Sequence, residues 1–231
     1  MASAAQHSGP CCPVLELRRY TVQPGAFDTL LGLFQRTFIA EQEAVGMHLV
    51  GFFRQVGRPE QFVWVRGFDG LTQRHAAYAA FYDGPIWKEL RDATNATLVD
   101  SSDVLLLRPV DGRGFLRGPM PEATKEKPGT GRIVASLLFF PAPVDAAQRQ
   151  AVGKALDGTR LESVAVLESE SGKNTWTRHP VRTGENVLVG FSWVDGPRVE
   201  QAVATLGTAL GPFRARRETL VLEPVSCSRV R

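Results

Sequence analysis

The sequence predicts an α+β fold made of two fused ferredoxin-like repeats, each running βαββαβ, joined as one pseudo-symmetric barrel-type unit. Three observations carry this expectation. Hydrophobic patterns of period 2 and period 3.6 follow one another as strand, helix, strand, strand, helix, strand, the split βαβ arrangement with two helices on one face of an antiparallel sheet. The same order recurs at an offset of roughly 115 to 125 residues: "HLVGFFRQVGRPEQFVWVRGFDG" finds its counterpart in "SVAVLESESGKNTWTRHPVRTGENVLVGFSWVDG", and "VLLLRP" in "LVLEP". Finally, two such sheets, each with helices on one face, leave two bare faces that can meet within one chain and enclose a barrel-like space.

The elements follow in order. Residues 1–12 read as a flexible tail, and the first repeat covers 13–110. "VLELRRYTV" alternates as a strand and "QPG" ends it. Phe27, Leu30, Leu31, Phe34 and Phe38 then recur at helical spacing, with Gly46 just past the helix end. "MHLVGFFRQV" is the second strand, "GRPEQ" a hairpin loop and "FVWVRGF" the third strand. "GLTQRHAAYAAFY" forms a helix that breaks at "DGP", and "IWKELRDATNA" resumes it with Pro85 near its first turn. "SDVLLLRP" closes the unit. Residues 111–130, rich in Gly, Pro and charge, read as a linker. The second, diverged repeat spans 131–231: strand "RIVASLLFF", helix "DAAQRQAVGKAL", strands "LESVAVLESES" and "NVLVGFSWV", helix "PRVEQAVATLGTAL" and strand "RRETLVLEPV".

Composition bounds the function. The 231 residues are 43% hydrophobic and 22% charged, enough for a real core. A net charge of +3 with scattered basic residues disfavours nucleic acid. No apolar run reaches the roughly 18 residues of a membrane span, and the start lacks a secretory apolar core, so no membrane association and a cytoplasmic location are expected. Cys11 and Cys12 are adjacent in a Gly/Pro-flanked tail, poorly placed for a structural disulfide, and with Cys227 the count is odd. His7, His48, His75 and His179 form no ligand spacing, and no Gly-rich phosphate loop, GxSxG elbow, HExxH or CxxC occurs. The expectation is therefore no metal and no cofactor.

Alternation in the third strand sets Phe62, Trp64, Arg66 and Phe68 on one side and Val63, Val65 and Gly67 on the other. In the first strand it sets Glu16, Arg18 and Tyr20 against Leu15 and Leu17. The Leu/Val side suits a helix layer, so the Glu16, Arg18, Tyr20, Trp64 and Arg66 side is expected to line the barrel space. There Arg18 and Arg66 would hold a developing anion and Glu16 or the helix residue His75 would move a proton. Tyr20, Phe62, Trp64, Phe68, Tyr78 and Tyr82 would offer flat and hydroxyl-bearing surface to a small-molecule ligand. The bland alternative is a satisfied ion pair in a plugged barrel. The long hairpin 168–186 reads as a lid, a subunit contact or a surface loop, and edge strands and helix faces left to be covered point to self-association as a homo-oligomer.

The first half resembles the NIPSNAP family, a branch of the dimeric α+β barrel superfamily. The resemblance rests on "LELRRYTVQPG", "FVWVRGFDGLTQR", "FYDGPIWKE" and "LLLRP", covering most of residues 14–109, while 131–224 resemble it only in layout. It implies a small molecule held between sheet and helices or inside the barrel. Relatives include cofactor-free monooxygenases, cyclases, lyases and haem enzymes, and also proteins with no known reaction. The expectation is a cofactor-independent enzyme acting on a hydrophobic, aromatic or enolisable substrate; the alternative is a non-catalytic module binding a metabolite or protein partner.

Overall fold

A computed structural model describes residues 10–116 and 130–230. Residues 1–9 of the expected tail and 117–129 of the expected linker lie outside the described residues. In the first repeat, β1 (Val14–Val22) leads to α1 (Phe27–Leu33), a π-helical turn (Phe34–Phe38) and α2 (Ile39–Ala44), which together make the one predicted helix. There follow β2 (His48–Gln55), β3 (Arg58–Phe68), α3 (Leu71–Tyr82), α4 (Pro85–Asn95) and β4 (Leu98–Pro109). In the second, β5 (Gly131–Phe140), α5 (Ala146–Gly158), β6 (Glu162–Ser169), β7 (Asn186–Asp195), α6 (Val199–Leu210) and β8 (Arg216–Pro224) repeat the order. The expected loop at 57–61 is shorter than its composition suggests. Gly57, at φ +76°, turns the chain within two residues, and Pro59 sits at the exposed start of β3, where a missing N–H costs no ladder bond.

All eight strands pair antiparallel and close in the order β1-β3-β2-β8-β5-β7-β6-β4. The two repeats join at both seams: β2 with β8 at Phe53↔Pro224, and β4 with β6 at Leu107↔Ser169. Closure corrects one premise: among the described residues each strand has two partners, so no open sheet edge remains.

A second correction concerns which face points inward. The barrel interior is filled by Leu15, Leu17, Val50, Phe53, Val63, Val65, Leu105 and Leu107 of the first repeat. They meet Ile133, Leu137, Ala165, Leu167, Val189, Phe191 and Leu222 of the second. The face with Phe62, Trp64 and Phe68 points outward and packs under α1, the π-turn and α3, against Phe27, Phe34, Phe38, Tyr78 and Phe81. Glu16, Arg18, Tyr20 and Arg66 share that outer face and so lie between sheet and helices, not in the barrel. The reason is that both faces are buried. Aliphatic faces from two repeats merge into one dry interior, whereas guanidiniums there would have no helix side chains to pair with.

The chain before β1 is also not a tail at its C-terminal end. Pro10 bridges Leu116, the Cys11 N–H donates to the Phe115 carbonyl at 2.7 Å, and Cys11 and Cys12 are buried against the barrel interior. The two cysteines are disulfide-bonded to each other, contrary to the sequence expectation. The backbone pairing around them folds both side chains into the barrel end.

A candidate anion site under the second-repeat loop

Cross-strand register assembles the centre of the site. Glu16 on β1 lies directly opposite Arg66 on β3, and Arg18 opposite Trp64, so alternation stacks a carboxylate and two guanidiniums on one face. Helix α3 lays Arg74 and Tyr78, one turn apart, across that face. Glu16 is the hub. Its Oε2 accepts from Arg18 at 2.7 Å and from Arg66 Nε at 2.9 Å, and its Oε1 accepts from Arg74 Nε at 2.7 Å. The Tyr78 hydroxyl lies 2.7 and 2.9 Å from the two carboxylate oxygens and also accepts from Arg66 and, at 3.1 Å, from Arg18. Arg18 Nε donates to the Tyr20 hydroxyl at 2.8 Å, and Arg66 donates to Gln42 Oε1 at 2.8 Å.

Glu16, Arg18, Arg66 and Arg74 are each at most 1% exposed. Three guanidiniums therefore surround one carboxylate. Among the described residues the network keeps two positive charges without a matching negative one. Aromatic faces soften this imbalance: the Arg66 guanidinium lies 4.9 Å from the Trp64 ring and 4.5 Å from Tyr78, and Arg74 lies 4.6 Å from Tyr78.

Burial pushes the Glu16 carboxyl upward, but Arg66, Arg18 and Arg74 outweigh it and hold the group well below the usual carboxylate range. Burial raises Tyr78, which stays a phenol and hence a donor. Burial favours loss of charge on Arg66 and Arg18, but the Glu16 carboxylate and the tyrosine hydroxyls that accept from them keep both as cations.

The roof is the loop 170–185 between β6 and β7. Arg74 donates to Asn174 Oδ1 at 2.9 Å and Thr175 Oγ1 at 3.2 Å, and His75 Nδ1 lies 2.6 Å from the Thr175 carbonyl. Trp176 packs 5.7 Å from Tyr78, and His179 stacks 4.1 Å from Tyr82. Burial, with Arg18 and Arg66 nearby, lowers His179 to about 3, so its imidazole is neutral at pH 7. Arg178 pairs with Asp83 at the exposed rim.

Of the sequence-proposed residues, Glu16, Arg18, Tyr20, Trp64, Arg66, Phe68 and Tyr78 come together, and Tyr82 borders them through Tyr78 and His179. Two do not fit the roles given them. His75 is exposed and ties down the loop rather than facing Glu16. Phe62 sits among Phe27, Phe34 and Phe52 as apolar packing. The sequence reading saw Arg74 share a helix face with Tyr78 and saw Trp176 among the basic residues of the hairpin but counted neither in the site, and it missed Gln42, Asn174 and Thr175. For Arg74 a signal existed, its i,i+4 spacing to Tyr78 on a helix face that must be buried; the loop residues join from 100 positions away and carry none.

The second repeat lacks this network. Opposite α5 and α6 the corresponding outer face presents Val134, Ser136 and Leu138 of β5 and Leu188, Gly190, Ser192 and Val194 of β7, an apolar packing layer with two small hydroxyls. Gly190 leaves room for Leu156 on α5, whose methyl end would lie 2.9 Å from a Cβ there and would have to shift. The charged hub is built on the strands and helices of the first repeat, and the second contributes its roof.

Fold and site define a double ferredoxin-like α+β barrel whose first repeat holds a sealed polar centre under its helices. Residues 15–112, the first repeat, match the NIPSNAP family model. A NIPSNAP-like domain protein from Burkholderia xenovorans is 27% identical over 45% of this chain and 90% of its own, with a TM-score of 0.41. Over the whole chain the fold is shared with a candidate monooxygenase from Lactobacillus acidophilus NCFM, at 11% identity, 93% and 94% coverage and TM-score 0.54. A candidate chlorite dismutase shares it too, at 11% identity, 92% and 94% coverage and TM-score 0.52. Comparison with curated proteins finds no match. Among the described residues no helix is long and apolar enough to cross a membrane, and no three His, Cys, Asp or Glu side chains cluster as metal ligands.

Proposed function

We propose that the protein is a small-molecule enzyme that binds an anionic, enolisable compound between the sheet and helices of its first repeat and uses its own side chains to move a proton. The observation that carries this reading is the charge imbalance. A structural ion pair needs one guanidinium per carboxylate, and each further buried ion costs several kcal/mol even after relaxation, roughly. Arg18, Arg66 and Arg74 surround a single carboxylate, a surplus suited to a carboxylate or enolate ligand. Two buried indole N–H groups, of Trp64 and Trp176, have no hydrogen-bond partner among the described residues and border the same rings.

Binding would also change the chemistry of Glu16. In the sealed state three arginines make it a weak base. An incoming anion draws those guanidiniums to itself, and the burial that is the largest influence on Glu16 then pushes its pKa upward, making it a competent base. Tyr78, held as a phenol, would donate to the oxygen on which charge develops. The loop 170–185 would act as the lid. Its rim contact Arg178–Asp83 is exposed and weakly held, so opening would chiefly have to break the Arg74 and His75 bonds to Asn174 and Thr175 and unpack Trp176. The candidate monooxygenase that shares the fold is consistent with small-molecule chemistry, but the site carries the proposal.

One observation favours the rival, a non-catalytic module: every guanidinium in the network is already hydrogen-bonded and the site is closed. Thermal-shift measurements with aromatic and β-keto carboxylates, each paired with its neutral amide, separate the two. The enzyme reading expects carboxylates to stabilise the protein and amides not to, with the shift abolished in a folded Arg66→Met variant. Indifference to every carboxylate at millimolar concentration would reject it in favour of the module.

A further inference from the structure

A second feature lies at the barrel end, away from the Glu16 network. Cys11 and Cys12 form a disulfide between sequence neighbours, a pairing that closes the smallest possible loop and therefore removes the least chain entropy from the unfolded state. Stabilisation alone is a poor account of it. Cys12 is 2% exposed and wedged against β3, where a Cβ on Gly67 would fall 2.3 Å from its Sγ. Cys11, by contrast, lines a cleft of about 320 Å³ with His48, Glu43, Leu49, Leu116 and Arg229. Arg229 is held by Glu43 and by the Leu49 carbonyl through one terminal nitrogen, while its buried Nε has no hydrogen-bond partner among the described residues. A disulfide cysteine thus borders a cleft that also holds an imidazole and a guanidinium.

We propose that this cleft is a thiol–disulfide exchange site for a small, carboxylate-bearing thiol. The incoming carboxylate pairs with the Arg229 guanidinium that lines the cleft, and the thiolate attacks the sulfur of Cys11, the cysteine on the cleft side. The Cys11–Cys12 bond breaks, a mixed disulfide forms at Cys11, and Cys12 leaves as a thiolate that takes up the proton lost by the incoming thiol. A second thiol attacks the ligand sulfur of the mixed disulfide and releases Cys11 as a thiol. In balance, two thiols become one small-molecule disulfide, and the protein gains two electrons and two protons. His48, paired with Asp69 at 3.2 Å, stands beside the cleft to accept the proton of the arriving thiol. Entry to Cys12 is closed by β3, which makes the exchange one-sided.

The test uses the full chain with reduced glutathione as the acidic thiol and 2-mercaptoethanol as the neutral one, followed by intact mass and peptide mapping under native conditions. The expected results are reduction of the folded protein and, in Cys12→Ser, a glutathione adduct mapped to Cys11 in the presence of oxidised glutathione. Arg229→Gln should slow glutathione by about tenfold, the loss of one charge-assisted hydrogen bond, and leave 2-mercaptoethanol unchanged. Circular dichroism of each variant separates a lost site from a lost fold. A bond that yields only on unfolding, equal sensitivity of both thiols to Arg229→Gln, or a protein that stays a dithiol in air would each overturn the proposal.

Discussion

Replacing Glu16 by Gln removes one negative charge from the centre of three buried guanidiniums and changes almost nothing in shape. At charge separations of about 4 Å and an effective dielectric of about 20, each guanidinium–carboxylate attraction is worth about 4 kcal/mol. Mutual repulsion of the arginines and the burial of all four charges offset much of that total. Removing one partner of a buried pair costs about 3–5 kcal/mol, and three arginines depend on this one carboxylate, so a loss of about 5 kcal/mol is expected. In a chain of this size that lowers Tm by about 10–20 °C. Thermal unfolding followed by near-UV circular dichroism between pH 7 and pH 3 reads the effect. Glu16 has a depressed folded pKa, so its contribution is complete above its ordinary value of 4.5 and drains away as pH falls towards the lower folded value. Wild type and variant should therefore differ most near neutrality and converge in acid. A variant within about 1 kcal/mol of wild type at pH 7, the worth of an exposed pair, would refute the view that Glu16 holds this centre together.

Leu137→Ala, deep in the barrel interior, should cost about 2–5 kcal/mol in a urea titration, and a loss below 1 would deny that this face is the packed one. Gly67→Ala drives a Cβ into Cys12, which its bond to Cys11 keeps from moving aside; a loss of about 1–3 kcal/mol is expected, and partial relief on reduction with dithiothreitol. His179 has a folded pKa of about 3 against an ordinary 6.5, so closed-loop stability is full above about 6.5 and falls as pH drops towards 3. Trp176 fluorescence should report loop opening over that window. His179→Phe keeps the stacking on Tyr82 and should flatten the profile; matching profiles for the two proteins would count against His179 as the titrating group.

Period-2 alternation determined which residues share a face, and so placed Glu16, Arg18, Tyr20, Trp64 and Arg66 together from the sequence alone. The recurring element order determined two βαββαβ repeats. The sequence could not decide which face turned inward. In a half-buried strand the polar side points to water, but here both sides of β1 and β3 are covered, one by the opposite repeat and one by helices, so polarity along the strand carries no direction. The tertiary structure settled it because the Leu/Val/Phe interior of the second repeat admits only an aliphatic partner, which left the guanidiniums to the helix side, where Tyr78, Gln42 and Arg74 complete their hydrogen bonds. The hairpin could be read as a lid, but not what it would cover. Asn174, Thr175 and Trp176 reach α3 only because the barrel closes, bringing β6 beside β4 and swinging their loop over the first repeat.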